Sequence, residues 1–360
     1  MKKLLFVSTL LTLFFISEYE LMAQSRSRSR QIRAQSKRIS TYRGGVAGGF
    51  GKKAYTTIGF SVNALNYFGD LAPKAGATST DISFTRPGFG LHLHRKIGSR
   101  YWVRGSLLYG RLKGSDFSSA NPDDESARFR YVRNLQFRND IFEFSAQGVI
   151  DITPHHGTFL GRPTFTPYVF GGIAVFYHNP KGLVPETDVN TGQALEDAGK
   201  WIALEPLGTE GQYSDGSGVS PYKKVQLAVP VGIGVRYKVN ESLDVEVEVG
   251  YRHLFFDHLD DVGGSYVDLN TLNSDLARVM SDRSRELTAV ESGETRDLTN
   301  PLVAEIVNRR DANNLIRGYG SNANNTNIRG NSNDNDIYVI TSIRVNYILG
   351  SSIFGKAKYR

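Results

Sequence analysis

Residues 242 to 253 read SLDVEVEVGYRH, with Asp244, Glu246 and Glu248 alternating strictly with Leu243, Val245, Val247 and Val249. A helix would scatter both sets around its surface, whereas a strand sends successive side chains to opposite faces. The stretch therefore predicts a strand with one wholly apolar face and one acidic face.

The same alternation recurs along the chain. In VQLAVPVGIGVRYKV (225 to 239) Val225, Leu227, Val229, Val231, Ile233, Val235, Tyr237 and Val239 share one face, opposite Gln226, Ala228, Gly232, Gly234, Arg236 and Lys238. In IYVITSIRVNYIL (337 to 349) Ile337, Val339, Ile343, Val345 and Tyr347 lie opposite Ser342, Arg344 and Asn346. Ile58, Phe60, Val62 and Ala64 make a third such face, and Phe89, Leu91 and Leu93 a fourth, opposite His92, His94 and Lys96. With further candidates at 101 to 113, 131 to 149 and 165 to 178 the pattern predicts eight strands of about 10 to 17 residues, longer than the five or six usual in soluble sheets and suited to tilted strands that cross a bilayer.

Spacing agrees with that reading. IGSR (97 to 100) and VNES (239 to 242) are short connections and 151 to 164 is a medium one, whereas 71 to 83, 115 to 128, 179 to 222 and 257 to 335 are long. Long connections on one side and turns on the other are the asymmetry of an outer-membrane barrel, with the long loops outside and the turns in the periplasm. Aromatics near strand ends, Tyr67, Phe68, Tyr101, Trp102, Tyr177, Tyr237, Phe255, Phe256 and Tyr347, are expected in the interfacial girdles. The expected fold is thus an all-β, eight-stranded antiparallel up-and-down transmembrane β-barrel, residues 55 to 349. A soluble β-sandwich with one wet face is the competing architecture. A charge on the lipid face is costly, so Asp244, Glu246 and Glu248 face the lumen, with Arg236 and Lys238 on one neighbouring strand and Arg344 on the other as a lumen charge network.

Composition bears on the two ends. Lys2 and Lys3, the apolar run LLFVSTLLTLFFI and the small-residue site LMA before Gln24 make residues 1 to 23 a cleaved signal peptide, and no later stretch approaches the roughly 18 apolar residues of a membrane helix. The chain has no Cys among its 360 residues, and 37 Gly. Residues 24 to 54 carry nine Lys or Arg and no Asp or Glu, against a net charge of +7 for the whole chain, so the basicity resides in this tail. The segment cannot bury a core. It reads as a flexible periplasmic tail, with GVAGGFG (45 to 51) as its hinge, whose Arg26, Arg28, Arg30, Arg33, Lys37 and Arg38 suit contact with an acidic protein or anionic lipid. In an exported chain nucleic acid is not the expected partner.

The connection 257 to 335 is too long to be structureless. Leu269, Leu272, Leu276, Val279 and Met280 recur at helical spacing, and Asn300 with Pro301 makes an N-cap and first-turn pair before LVAEIV, so two short helices are expected as a cap over the outer mouth. Residues 179 to 222 offer no such period and are expected to be more mobile.

YFGDL (67 to 71), FFDHLDDVGGSYVD (255 to 268) and RGNSNDNDIYVITSIRVNYIL (329 to 349) resemble, in that order, the PorG-like outer-membrane barrel family of Bacteroidetes, a component of the type IX secretion system. The residues carrying the resemblance are Gly69, Asp70, Asp257, Asp260, Asp261, Arg329, Gly330, Asp336 and Tyr338, with His258 where Tyr is usual. The resemblance implies a non-enzymatic scaffold with no cofactor and no small-molecule substrate. It also implies periplasmic ring or lipoprotein partners of the PorK and PorN kind, engaged from the side that carries the basic tail and the C-terminal residues 350 to 360. The alternative is an independent, OmpA-like surface barrel whose loops bind a ligand or another cell. An enzyme would have to draw on His253, Asp257, His258, Asp260, Asp261 and Ser265, which sequence proximity does not assemble into a catalytic set. His92 with His94 makes half a metal site, and NSNDND (331 to 336) lacks the spacing of a calcium loop.

Overall fold

The computed structural model describes residues 54–71, 85–125, 127–215, 217–309, 328–331 and 335–349. Residues 1 to 23, read from sequence as a signal peptide, residues 24 to 53 with Arg26, Arg28, Arg30, Arg33, Lys37 and Arg38, and residues 350 to 360 lie outside them.

Eight strands form a closed antiparallel barrel: β1 (Thr56–Phe68), β2 (Arg86–Lys96), β3 (Tyr101–Ser115), β4 (Gln136–Asp151), β5 (Phe165–Tyr177), β8 (Val225–Lys238), β9 (Leu243–Leu254) and β12 (Ile337–Leu349). Each pairs with the next in sequence, and β1 pairs with β12 over its whole length, from Thr56 opposite Leu349 to Phe68 opposite Ile337. Closure leaves none of the eight as a free edge. Between β5 and β8 the chain forms β6 (Pro180–Leu183) and β7 (Trp201–Ala203), a hairpin that extends the sheet. β6 takes the place beside β4 that β5 vacates, with Lys181 opposite Arg138. The connection 179 to 222, expected to be more mobile because it offers no helical period, thus contributes two short strands to the barrel wall; hairpin pairing leaves no helical period in sequence.

The outward positions make an apolar band: Phe60, Leu91, Leu107, Phe144, Ile173, Leu227, Ile233, Val247 and Ile343 are between 41% and 67% exposed. Such a surface around a closed barrel is stable against lipid and costly against water. Tyr101, Tyr177, Tyr237 and Phe255 are exposed near its two rims, as expected. Tyr67 and Trp102 are not: each is 2% exposed and points inward, because each falls on the inward phase of its strand.

Inside, the barrel has two layers. Toward the short turns it is charged. Toward the long connections the inward face is apolar, and Leu65, Leu112, Ile141, Phe176, Leu254 and Ile340 pack with Leu259 and Val262 from the last long connection into a plug. Where a strand is apolar on both faces, as in YVI (338 to 340), one face meets lipid and the other meets this plug.

The long connections carry α1 (Asp116–Ser119) and α2 (Arg128–Arg133) before β4, and α3 (Asp275–Ser281) and α4 (Pro301–Asn308) before β12. The fourth strand, expected from residue 131, begins at Gln136, because α2 occupies 128 to 133 and ends on Asn134 in the left-handed conformation (φ 58°). Caps start both α3 and α4: Asn300 Oδ1 accepts from Leu302 N with Pro301 in the first turn, as the sequence indicates, and Ser274 Oγ, which the sequence reading did not single out, accepts from Ala277 N. Val303 and Ile306 of α4 pack on Ala127, Tyr131 and Val132 around α2. The two-residue strands β10 (Thr288–Ala289) and β11 (Glu294–Thr295) lie between the two helices. Arg296 donates to the Tyr131 and Val132 carbonyls at 2.6 and 2.9 Å, satisfying the C-terminal end of α2. Gly157–Arg162 falls outside the barrel unit; it contains one 3-10 turn, with Arg162 Nη1 donating to Phe159 O at 2.7 Å.

Candidate functional site

Two sites emerge, the charged lumen and the mouth above the apolar plug. In the lumen, register places Glu246 directly between Arg236 of β8 and Arg344 of β12. Arg236 Nε donates to Glu246 at 2.7 Å and its Nη1 reaches Asp151 of β4 at 3.0 Å. Arg344 bypasses the facing Glu246 and donates to Glu248 at 2.6 Å, and Arg104 from β3 donates to the other oxygen of Glu248 at 2.6 Å. Asp244 is buried and stands directly opposite the half-buried Lys238. A further layer joins Arg252 of β9 to Glu143 of β4 at 3.3 Å, and Tyr338 OH donates to Glu143 at 2.7 Å. Arg104, Asp151, Arg252 and Glu143 are partners that alternation alone did not single out. They come from strands that are distant in sequence, and only closure brings them across the lumen.

The fully buried charges of the lumen are balanced: Lys96, Arg104, Arg236, Arg252 and Arg344 face Glu143, Asp151, Asp244, Glu246 and Glu248. Aromatic faces add to the solvation of two of the arginines. The Arg236 guanidinium lies 4.4 Å from the Trp102 ring centroid, and that of Arg104 lies 4.6 Å from Phe170. His92 is held between Ser61 and Ser106, one ring nitrogen to each at 2.8 and 2.9 Å, so both are committed to hydrogen bonds. His253 sits on the outward face, its ring centroid 5.1 Å from that of Phe255.

The mouth gathers the motif residues. Tyr67 OH lies 2.6 Å from Asp260 Oδ2 and 2.8 Å from Asp336 Oδ1, bridging two buried carboxyls with one hydroxyl. Asp336 in turn accepts from Leu259 N at 2.8 Å and Asp260 from Val262 N at 2.9 Å. Asp70 Oδ2 accepts from Asn331 N at 2.9 Å. Two glycines are required by close approach. A Cβ on Gly69 would stand 1.9 Å from Asp336 Oδ1 and 2.1 Å from the Tyr67 hydroxyl, and one on Gly330 would stand 2.5 Å from Asp70 Oδ2 and 2.9 Å from Gly263 N. Asp257 is buried beside them.

Arg329 and Glu210 form the second half of the mouth. Arg329 Nη1 donates to Glu210 Oε1 at 2.9 Å and to the Asp261 carbonyl at 2.7 Å. The Gly263 and Gly264 amides donate to the same Glu210 oxygen at 3.1 and 3.2 Å, and His258 Nε2 lies 3.3 Å from its other oxygen. Asp261, at a left-handed φ of 71°, accepts from Thr209 at 2.5 Å and Tyr222 at 2.6 Å. Arg133 completes the clasp, binding Asp116 through Nε and Nη2 at 2.8 Å and the carbonyls of Arg329 and Asp70 at 2.6 Å. Glu210, Thr209 and Arg133 were invisible to sequence reasoning, since a lone acid, hydroxyl or base in a long connection carries no periodic signal.

Electrostatics at the mouth follow from burial. Burial holds the Asp260 carboxyl well above the ordinary range, and the Asp336 and Asp70 charges push it the same way. Burial also raises Asp261, to about 6, against the pull of Arg329. Burial would raise Glu210 too, but the His258 hydrogen bond and the Arg329 charge outweigh it and bring the carboxyl down to about 2. Ser265, the nearest hydroxyl to His258 in sequence, is exposed and its backbone pairs with Ile328. His258 instead faces Glu210 and the Tyr222 ring, 5.2 Å away. Among the described residues no group of three His, Cys, Asp or Glu is placed to hold a metal ion.

A closed barrel with an apolar exterior and a charge-balanced, filled interior defines a small transmembrane β-barrel. Residues 51–198 match the family described as a "Domain of unknown function (DUF6089)". No curated protein matches the chain. Among solved structures it is similar to the neisserial surface protein A (NspA), with 9% identity and a TM-score of 0.33 over 82% of this chain and 99% of that one. It is also similar to the outer membrane protein OprG from Pseudomonas aeruginosa, with 10% identity and a TM-score of 0.35 over 82% and 97%. The third likeness is to Ail, the attachment invasion locus protein of Yersinia pestis, with 8% identity and a TM-score of 0.30 over 82% and 97%. The strand pairing, not these likenesses, establishes the barrel.

Proposed function

We propose that the chain is a non-enzymatic outer-membrane scaffold that anchors the type IX protein secretion machinery through its periplasmic side. The observation that carries this reading is convergence. Gly69, Asp70, Asp257, Asp260, Asp261, Arg329, Gly330, Asp336 and Tyr338, the residues of the resemblance to PorG-like barrels, come from three distant segments. Tyr67 and Asp336 alone are 269 positions apart, yet the segments meet at one end of the barrel. Motifs that build one cluster are harder to meet by chance than motifs that merely occur in order. The filled lumen also suits an anchor better than a conduit.

The docking arm in this reading is the basic tail, with periplasmic ring or lipoprotein components of the PorK and PorN kind as partners. Replacing Arg26, Arg28, Arg30, Arg33, Lys37 and Arg38 with Ser should leave the barrel assembled and weaken recovery of those components in a detergent pull-down at matched barrel levels. Recovery by the wild-type chain should fall as salt rises, because exposed charges are screened over about 8 Å at physiological ionic strength. Equal recovery by both chains at every salt concentration would remove the tail from the docking surface. The second reading, an OmpA-like surface barrel with ligand- or adhesion-binding loops, is supported by the folding of the long connections on one another through Arg133 and Glu210. It gains if cells lacking the protein secrete normally but lose adhesion.

A further inference from the structure

On the outward face the chemistry changes in steps toward the long connections. Register aligns Tyr109 with Phe142 and Phe142 with Tyr177, so neighbouring strands give one aromatic row, each ring between 45% and 53% exposed. Two residues further along β3 and two back along β4, Arg111 Nε donates to Asp140 at 2.5 Å and closes that pair on itself. Two residues beyond, Lys113 stands opposite Arg138 and Arg138 opposite Lys181. Three cations on three adjacent strands therefore form a row. Directly opposed like charges destabilise a sheet unless an anion accompanies them. One acid, Glu291, pairs with Lys113. Arg138 lays its guanidinium on the indole of Trp201, 4.5 Å from the ring centroid, and its buried Nε has no hydrogen-bond partner among the described residues.

Four residues of tilted strand separate the aromatic row from the cationic one, roughly 10 Å along the membrane normal. Aromatic girdles mark the edge of the hydrocarbon, so the cations stand at headgroup height. We propose that Lys113, Arg138 and Lys181 bind the phosphorylated headgroup of a membrane lipid in the leaflet facing the long connections. Its acyl chains lie along Tyr109, Phe142 and Tyr177. Stacking on Trp201 fixes the plane of Arg138, so its nitrogen edge can meet two phosphate oxygens at once, and the lysines add charge from either side. Glu291 is the internal anion that holds Lys113 until the lipid arrives.

The test uses the full chain in detergent, immobilised and titrated with radiolabelled diphosphoryl lipid A or its dephosphorylated form. The wild-type protein should retain the diphosphoryl form at least about tenfold more tightly than the dephosphorylated one, as expected where charge-assisted contacts dominate. A variant carrying Lys113→Gln, Arg138→Gln and Lys181→Gln should lose that preference. Arg138→Lys should lose part of it, and Arg95→Gln with Arg100→Gln, at the opposite rim, should keep it in full. Heat-modifiable gel migration checks that each variant is a folded barrel, and the two lipid forms compared on wild-type protein decide the question even if the triple variant fails to assemble. Equal retention of both lipid forms, or a folded triple variant with undiminished preference, would overturn the proposal. So would displacement by inorganic phosphate at the concentration at which the lipid itself competes, which would assign the row to the free ion.

Discussion

At the scale of single residues the lumen depends on pairs that cannot be halved. Arg344, paired with Glu248, and Glu246, paired with Arg236, are 3% and 0% exposed, and removing either leaves the opposite charge of its partner buried without full compensation. Arg344→Leu or Glu246→Leu should each cost about 3 to 5 kcal/mol, read as a lower temperature for the heat-modifiable gel shift. An unchanged shift in both variants would contradict their role in holding the barrel. The mouth predicts a pH dependence whose sign can be worked out. Asp260 and Asp261 are raised when folded, so their contribution is full below the ordinary 3.8 and is lost as pH climbs through the folded values, about 6 for Asp261. Glu210 is lowered, so its contribution is present above 4.5 and is lost only as pH falls toward 2. Closure of the mouth is therefore firmest at about pH 4, between the ordinary aspartate value of 3.8 and the ordinary glutamate value of 4.5, and weakens from there as pH rises. Amide exchange over 257 to 264, corrected for its intrinsic pH dependence, should be slowest at about pH 4 and faster at about pH 8, and a flat profile would count against the carboxyl cluster as the latch.

At the scale of elements the strands were legible and their interior partners were not. Period-two alternation is a local property, so the acidic face of Asp244, Glu246 and Glu248 could be read inward once the other face was assigned to lipid. The pairing of Arg344 with Glu248 rather than the facing Glu246 depends on how long side chains lean within a crowded lumen, which no register predicts. The inward apolar plug was hidden for the opposite reason. Ile340 and Leu254 sit in runs that are apolar on both faces, and such runs do not say which neighbour lies behind them. Caps announced α4, whereas α2 had no side-chain cap and was taken into the following strand. The packing of α4 on α2 gives an element-scale prediction. Ile306→Asp puts a charge into a site that is 4% exposed, so limited proteolysis should cut near 301 to 309 while the barrel keeps its gel shift. Loss of the barrel with the helix would show that the cap and the wall are one folding unit.

At the scale of the whole molecule, the filled lumen and the apolar plug oppose conduction. Purified protein in a planar bilayer should give no stable large conductance, and steady open channels would contradict the packing seen in the charged layers. Balance inside the barrel also governs how it can come into being. Arg104 of β3 meets Glu248 of β9 and Arg252 of β9 meets Glu143 of β4 across the bore, and Arg236 of β8 reaches Asp151 of β4 past the intervening β5. A strand or hairpin entering lipid ahead of the others would carry most of its charges bare into hydrocarbon, since among the lumen ion pairs described only Arg236 with Glu246 is held within one hairpin. The pairs that span non-adjacent strands exist only in the finished ring. Partly inserted intermediates are therefore uphill, and the barrel must assemble its polar interior in one cooperative act, curled shut or shielded before it crosses, so that the last strand to arrive sets the moment of insertion.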